Sequence, residues 1–223
     1  SIAPTIPAYE REAIRPNVFG SFADLLLAVT GHTTMLAYLD NVVSVGPTSR
    51  AGRRTGRSLN ENLAREILEL HTLGVDGGYS QQDVEELAKA LTGWTHAGVG
   101  GRRNQNSAGV AFRPQMHEPG ARKVLGRTYR PGGIRQARDI LRDLAVHLST
   151  ARFISGKIAQ HFIADEPPPR AVDRLTETWL DTGGDLAAVC RSLIRLDDAW
   201  HAAPQKFTTP YEMVIATHKA LGI

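Results

Sequence analysis

Glu66 and Glu69 stand three residues apart in "LNENLAREILELHTLG" (59–74), with Asn60, Asn62 and Arg65 before them and His71 after. Two carboxylates at i and i+3 of a helix repel each other unless a cation or a shared proton lies between them. The pattern reads in two ways. In one, Arg65 neutralises Glu69 four residues on, and the row is a paired polar face worth roughly 0.2 to 0.5 kcal/mol per pair. In the other, Glu66 and Glu69 with an asparagine amide converge on a divalent metal, or serve as general acid and base.

At about 100° per residue, Leu63, Ala64, Ile67, Leu68 and Leu70 form one apolar stripe with His71 inside it, while Asn62, Glu66 and Glu69 lie within about 60° of each other elsewhere. His71 then points about 140° or more away from both glutamates. The count predicts a hydrogen-bonded core histidine, and a local Glu, Glu, His metal site only if the helix is broken. A second pair, His117 and Glu118 in "RPQMHEPG", sits in a loop, where a histidine could be a ligand or proton carrier. The candidate catalytic set is therefore Glu66, Glu69 and His117, with Asn60, Asn62 and Arg65 as candidate substrate-binding residues. His96 is a weaker candidate of the same kind, and His147, His161, His201 and His218 read as structural or surface residues.

Charge offers a different chemistry. The net charge is +3, and the excess clusters in "TSRAGRRTGRS" (48–58), with Arg50, Arg53, Arg54 and Arg57, and between Arg102 and Arg130. Read as solvated loops, these are bland; read as a patch, Arg50 to Arg57 contact an anionic polymer or an acidic protein. No aromatic residue interleaves with the first cluster to stack bases, so nucleic acid is a poor partner. The single cysteine, Cys190, forms no intrachain disulfide and does not place the chain in either redox compartment. No apolar run reaches the roughly 20 residues of a membrane span. Walker, nucleophile-elbow, dinucleotide and cysteine-knuckle motifs are absent.

The elements that would hold these residues read as helices. Ser21 to Asp24 and Ser80 to Asp83 are capping boxes, Asn60 is an N-cap, and Gly74 closes the opening segment. Apolar residues at helical spacing mark four segments around Ile134–Leu144, Phe153–Phe162, Val172–Trp179 and Leu186–Leu193. A fifth helix is capped by Thr209 with Pro210, Glu212 and Gly222 in place. The expectation is one all-α domain of two packed helical lobes, 1–95 and a helix bundle over 134–223. Between them, a Gly-, Arg- and Pro-rich excursion over 96–133 carries at most a small hairpin.

The runs "MLAYLDN", "NENLAREILELHTLGVDGGYSQQDVEELAKALTGWT", "HEPGARKVLG", "STARFISGKIAQHFIADEPP" and "KFTTPYEMVIATHKALG" strongly resemble, in that order, the bacterial domain-of-unknown-function family 1800. The resemblance covers nearly the whole chain. It implies a largely helical fold and a periplasmic or secreted protein, and it assigns no reaction. It places Asn60, Asn62, Arg65, Glu66 and Glu69 in the family's central motif and His117 with Glu118 at its later His-acid position. It also implies a longer N-terminal half with a "WHNHF"-like segment, which does not occur here. If that segment completes a site with Glu66 and Glu69, this chain is a fragment or a member that lacks the site. Two functions remain open: metal-assisted hydrolysis or lysis of an extracellular polymer at the acidic face, and non-catalytic binding of an acidic partner by the arginines.

Overall fold

The computed structural model describes residues 2–96, 110–200 and 206–222. Polar caps and tight glycine turns set the order of its helices. α1 (Ile6–Tyr9) runs into a π-helical turn over Glu10–Ile14. Ser21 accepts the Asp24 N–H at 3.1 Å and starts α2 (Phe22–Gly31), and His32 caps α3 (Thr33–Tyr38) by accepting the Thr34 N–H. α4 (Arg50–Thr55) begins at Ser49 and ends at Gly56, whose φ of 64° is a left-handed stop. α5 (Asn62–Glu66) continues without a break into a π-helical turn, Ile67–His71. α6 (Gln81–Leu91) carries the expected capping box between Ser80 and Asp83.

Antiparallel strands β1 (Trp94–His96) and β2 (Val110–Phe112) pair Trp94 with Phe112, and β3 (Arg122–Val124) forms the expected small hairpin with β4 (Arg127–Tyr129). α7 (Ile134–Ala145), α8 (Leu148–Phe162), α9 (Pro169–Thr182) and α10 (Leu186–Ile194) follow, then α11 (Pro210–Leu221). The fold is thus all-α apart from two small strand pairs. The remainder of the excursion, 97–109, lies outside the described residues, as do Arg102 and His201.

Apolar stripes of these helices meet in one core. α5 lies on α6, α2 and α6 lie on α7, and α8, α9 and α10 pack in sequence. Buried Trp179 joins the two halves: its ring tilts against Phe22 at 4.9 Å, and its Nε1 donates to the carbonyl of Ala145 at 3.1 Å. The chain segments pin each other where Phe22 N donates to Gly184 O and Leu186 N to Gly20 O. α11 differs from the expected bundle member. It forms with its cap, but no residue in it is buried, and Tyr211, Met213 and Val214 stay exposed. Just before it, Phe207 N donates to Asp165 and Lys206 pairs with the same carboxylate. The bundle is α7 to α10.

Candidate functional site

The helix of residues 62–71 is continuous, but its winding changes. Thr72 Oγ1 donates to Ile67 O at 2.6 Å, and Leu73 N donates to Leu68 O at 2.9 Å, so the last turn closes over five residues rather than four. A π-helical turn brings residues i and i+5 over one another. Glu66 and His71 are five apart, so the wider turn carries them toward one side instead of apart, and the Glu66 charge reaches the imidazole. The same turn rotates Leu70 out of the expected stripe, leaving it 52% exposed, while Leu63, Ala64, Ile67 and Leu68 are buried as expected. His71 is half-buried rather than a satisfied core residue, and its Nδ1 is buried with no hydrogen-bond partner among the described residues. Burial pulls its pKa below the ordinary 6.5, and the Glu66 charge opposes that pull.

Arg65 turns backward. It pairs with Glu61 at 3.1 Å and donates to Gln81 Oε1 at 2.8 Å, while Gln81 Nε2 donates to Glu61 at 2.8 Å. The expected Arg65–Glu69 pair does not form, because Glu61 precedes Arg65 by four residues on the same helical side and Gln81 completes a closed ring of bonds. Glu69 instead faces Tyr79, whose phenol is held above its usual pKa first by burial and next by the Glu69 charge. Neither Glu66 nor Glu69 forms an ion pair among the described residues.

Asn60 and Asn62 do meet at a cavity. Asn60 Oδ1 accepts the Asn62 N–H at 2.9 Å, and both residues line an open hollow of about 720 Å³ with Arg57, Ser58, Glu61 and Val43. Glu66, Glu69 and His117 are not among its walls.

His117 stands elsewhere. Its Nδ1 lies 3.0 Å from the carbonyl of Thr92 just past the end of α6, its ring meets Phe112 edge-on, and burial lowers its pKa. Arg65 holds Gln81 at the start of α6, and eleven residues of helix span roughly 16 Å. His117 and the Arg65 ring are therefore at opposite ends of α6. Its neighbour Glu118 is only 6% exposed and accepts the Thr48 N–H at 2.8 Å and the Thr48 hydroxyl at 2.7 Å. A Cβ on Gly46 would lie 2.5 Å from this carboxylate, so glycine is what lets the two segments close.

Glu118 thereby seats the basic segment, which is a helix and not the loop its composition suggested. Ser49 caps α4 through the Gly52 N–H, and Gly52 lies against the backbone of Gly46, whose carbonyl would be 2.2 Å from an added Cβ. With Gly52 inward, Arg50, Arg53 and Arg54 share the outward side. These three and Arg57 are exposed, and none forms an ion pair among the described residues.

The structure thus joins Asn60 and Asn62 with Arg57, leaves Glu66 near enough to act on the charge of His71 without a hydrogen bond or ion pair among the described residues, and places Glu118 against Thr48 just before α4. Among the described residues no group of three His, Cys, Asp or Glu side chains converges as a metal would need. Glu61 was missed although its i, i+4 relation to Arg65 is visible in sequence; His71 as a partner of Glu66 left no such signal. Residues 1–222 match the family described as Protein of unknown function (DUF1800). No curated protein and no solved structure matches the chain. No helix among the described residues is long and apolar enough to cross a membrane.

Proposed function

Since the chain belongs to the DUF1800 family, whose description assigns no reaction, we propose from its own surface that it is a binding module for an extended polyanion. One observation carries this: four exposed arginines without a carboxylate partner among the described residues, three of them on the outward side of a helix that Glu118 and Gly52 seat firmly. Arg57 extends the row to a hollow whose asparagines offer neutral hydrogen bonds to the same ligand. The family resemblance to exported bacterial proteins supports a polymer outside the cytoplasm as the partner. Such binding releases counterions and weakens steeply with salt. Replacing Arg50, Arg53, Arg54 and Arg57 together by alanine should reduce the slope of log affinity against log salt for heparin by about 3. Glu66→Gln with Glu69→Gln should leave it unchanged. Unaltered heparin binding in the arginine variant would reject the reading.

A second reading, hydrolysis or lysis of that polymer, is favoured by the shared side of Glu66 and His71, with burial holding the imidazole toward its neutral, proton-accepting form. His71 here takes the place that His117 held in the sequence-based set. General-base catalysis contributes roughly 100- to 10,000-fold. Cleavage measured by the release of polysaccharide ends should fall at least about 100-fold in Glu66→Gln or His71→Gln with retention intact. Cleavage by both variants at the rate of the unsubstituted chain would end this reading.

A further inference from the structure

A second basic hollow lies between β4 and the start of α7. Its volume is about 500 Å³, and Arg127, Arg130, Arg135 and Arg142 line it with Asp139 and Asp143. Both carboxylates are engaged. Asp143 accepts the Tyr129 hydroxyl at 2.6 Å and pairs with Arg127 at 2.8 Å, and Asp139 pairs with Arg142 at 3.2 Å. Arg130 and Arg135 are exposed and have no ion pair among the described residues. Four guanidiniums against two carboxylates leave an excess of two positive charges at the hollow.

The backbone around it favours an anion as well. Buried Gln136 donates through Nε2 to the carbonyl oxygens of Tyr129 and Arg130 at 3.2 and 3.0 Å, which engages two acceptors of the wall that would otherwise repel one. α7, twelve residues long, starts at Gly133 with no acid in its first turn, and its Arg135 and Gln136 N–H groups donate to the carbonyls of Gly132 and Gly133 at 3.2 and 3.1 Å. The positive end of its dipole adds to the arginine charge. Guanidinium forks match oxoanions through paired hydrogen bonds. A volume in the range of small-ligand pockets exceeds what a bare ion needs.

We propose that this hollow binds a phosphate monoester, its dianionic group gripped by Arg130 and Arg135 and its organic part lying along the rest of the hollow. A phosphate monoester carries about −1.5 to −2 near neutral pH and so matches the excess of two charges better than a singly charged sulfate ester. The site does not depend on the polyanion reading of α4, and the test separates them.

Calorimetric titration of the whole chain with glucose 6-phosphate, inorganic phosphate and glucose should give binding of the ester at least tenfold tighter than inorganic phosphate and none of glucose. Arg130→Ala and Arg135→Ala should each weaken the ester about tenfold or more, with unchanged thermal melting because both side chains are exposed. The Arg50, Arg53, Arg54 and Arg57 variant should bind the ester normally, and Arg130→Ala should bind heparin normally. Equal affinity for ester and inorganic phosphate would overturn the ester as ligand. Absent binding, or binding lost only in the α4 variant, would overturn the site.

Discussion

Glu118→Ala should destabilise the chain by about 3 kcal/mol or more and weaken heparin retention at the same time. The carboxylate holds two donors of Thr48, the N–H at 2.8 Å and the hydroxyl at 2.7 Å, from a position only 6% exposed. Hydrogen bonds to a charged group contribute roughly 1.5 to 3 kcal/mol each, and removing the acceptor also leaves a backbone N–H without its partner. In a chain of this length the loss corresponds to a fall in Tm of about 6 to 12 °C, readable by calorimetry.

The binding effect follows from where Thr48 lies. It precedes Ser49, the cap of α4, and α4 is seated through Gly52 on the backbone of Gly46 and Pro47. Once Thr48 is released, the arginines keep their charge but lose the fixed spacing that lets them act on one partner together. Thr48→Ala, which removes only the hydroxyl bond, should show a smaller stability loss and near-normal retention. A Glu118→Ala chain that melts normally and binds heparin normally would show that the clamp does not hold α4.

What could be read in sequence depended on whether the signal was local. Ser21, Ser80 and Thr209 cap their helices through the N–H three residues on, because a serine or threonine ahead of an apolar run needs nothing else to act. His147 has the structural part expected of it, accepting the Ser149 N–H at the head of α8. The same local rule applied to Ser49 and Gly56 would have shown α4 as a helix, but the arginine content made a loop the simpler reading. The cavity joining Asn60 and Asn62 to Val43 needed the tertiary fold, since Val43 arrives from a separate segment. So did the role of Glu118, whose two bonds reach back 70 residues to Thr48. The π-helical turn was the deepest loss. Residues Ile67–His71 have the types of an ordinary helix, and counting 100° per residue carries every later position to the wrong side once one turn holds an extra residue.

That turn carries its own expected result: Thr72→Val should cost roughly 1 to 3 kcal/mol and sharpen the acid sensitivity of the fold. Valine keeps the shape of the buried threonine but removes the 2.6 Å bond to Ile67 O, the side-chain contact that stabilises closure over five residues. With an ordinary α-turn in its place, residue 71 would return to about 140° from Glu66. His71 would then lose the carboxylate that partly offsets the effect of burial on its pKa. The direction is set by linkage. A histidine whose folded pKa lies below the unfolded 6.5 leaves the folded state with fewer protons than the unfolded one, so its contribution to stability is full above pH 6.5 and is lost as pH falls through the folded pKa. Removing the influence of Glu66 lowers the folded pKa further and lengthens that window of loss. Glu66→Gln should therefore displace the His71 titration downward, followed by the ring-proton resonance in NMR, without the stability cost that Thr72→Val incurs near neutral pH. Thr72→Val should shift the same resonance in the same direction. A His71 titration that neither substitution moves would mean that Glu66 and His71 do not act on each other, and the proton-transfer reading of this helix would fall with it.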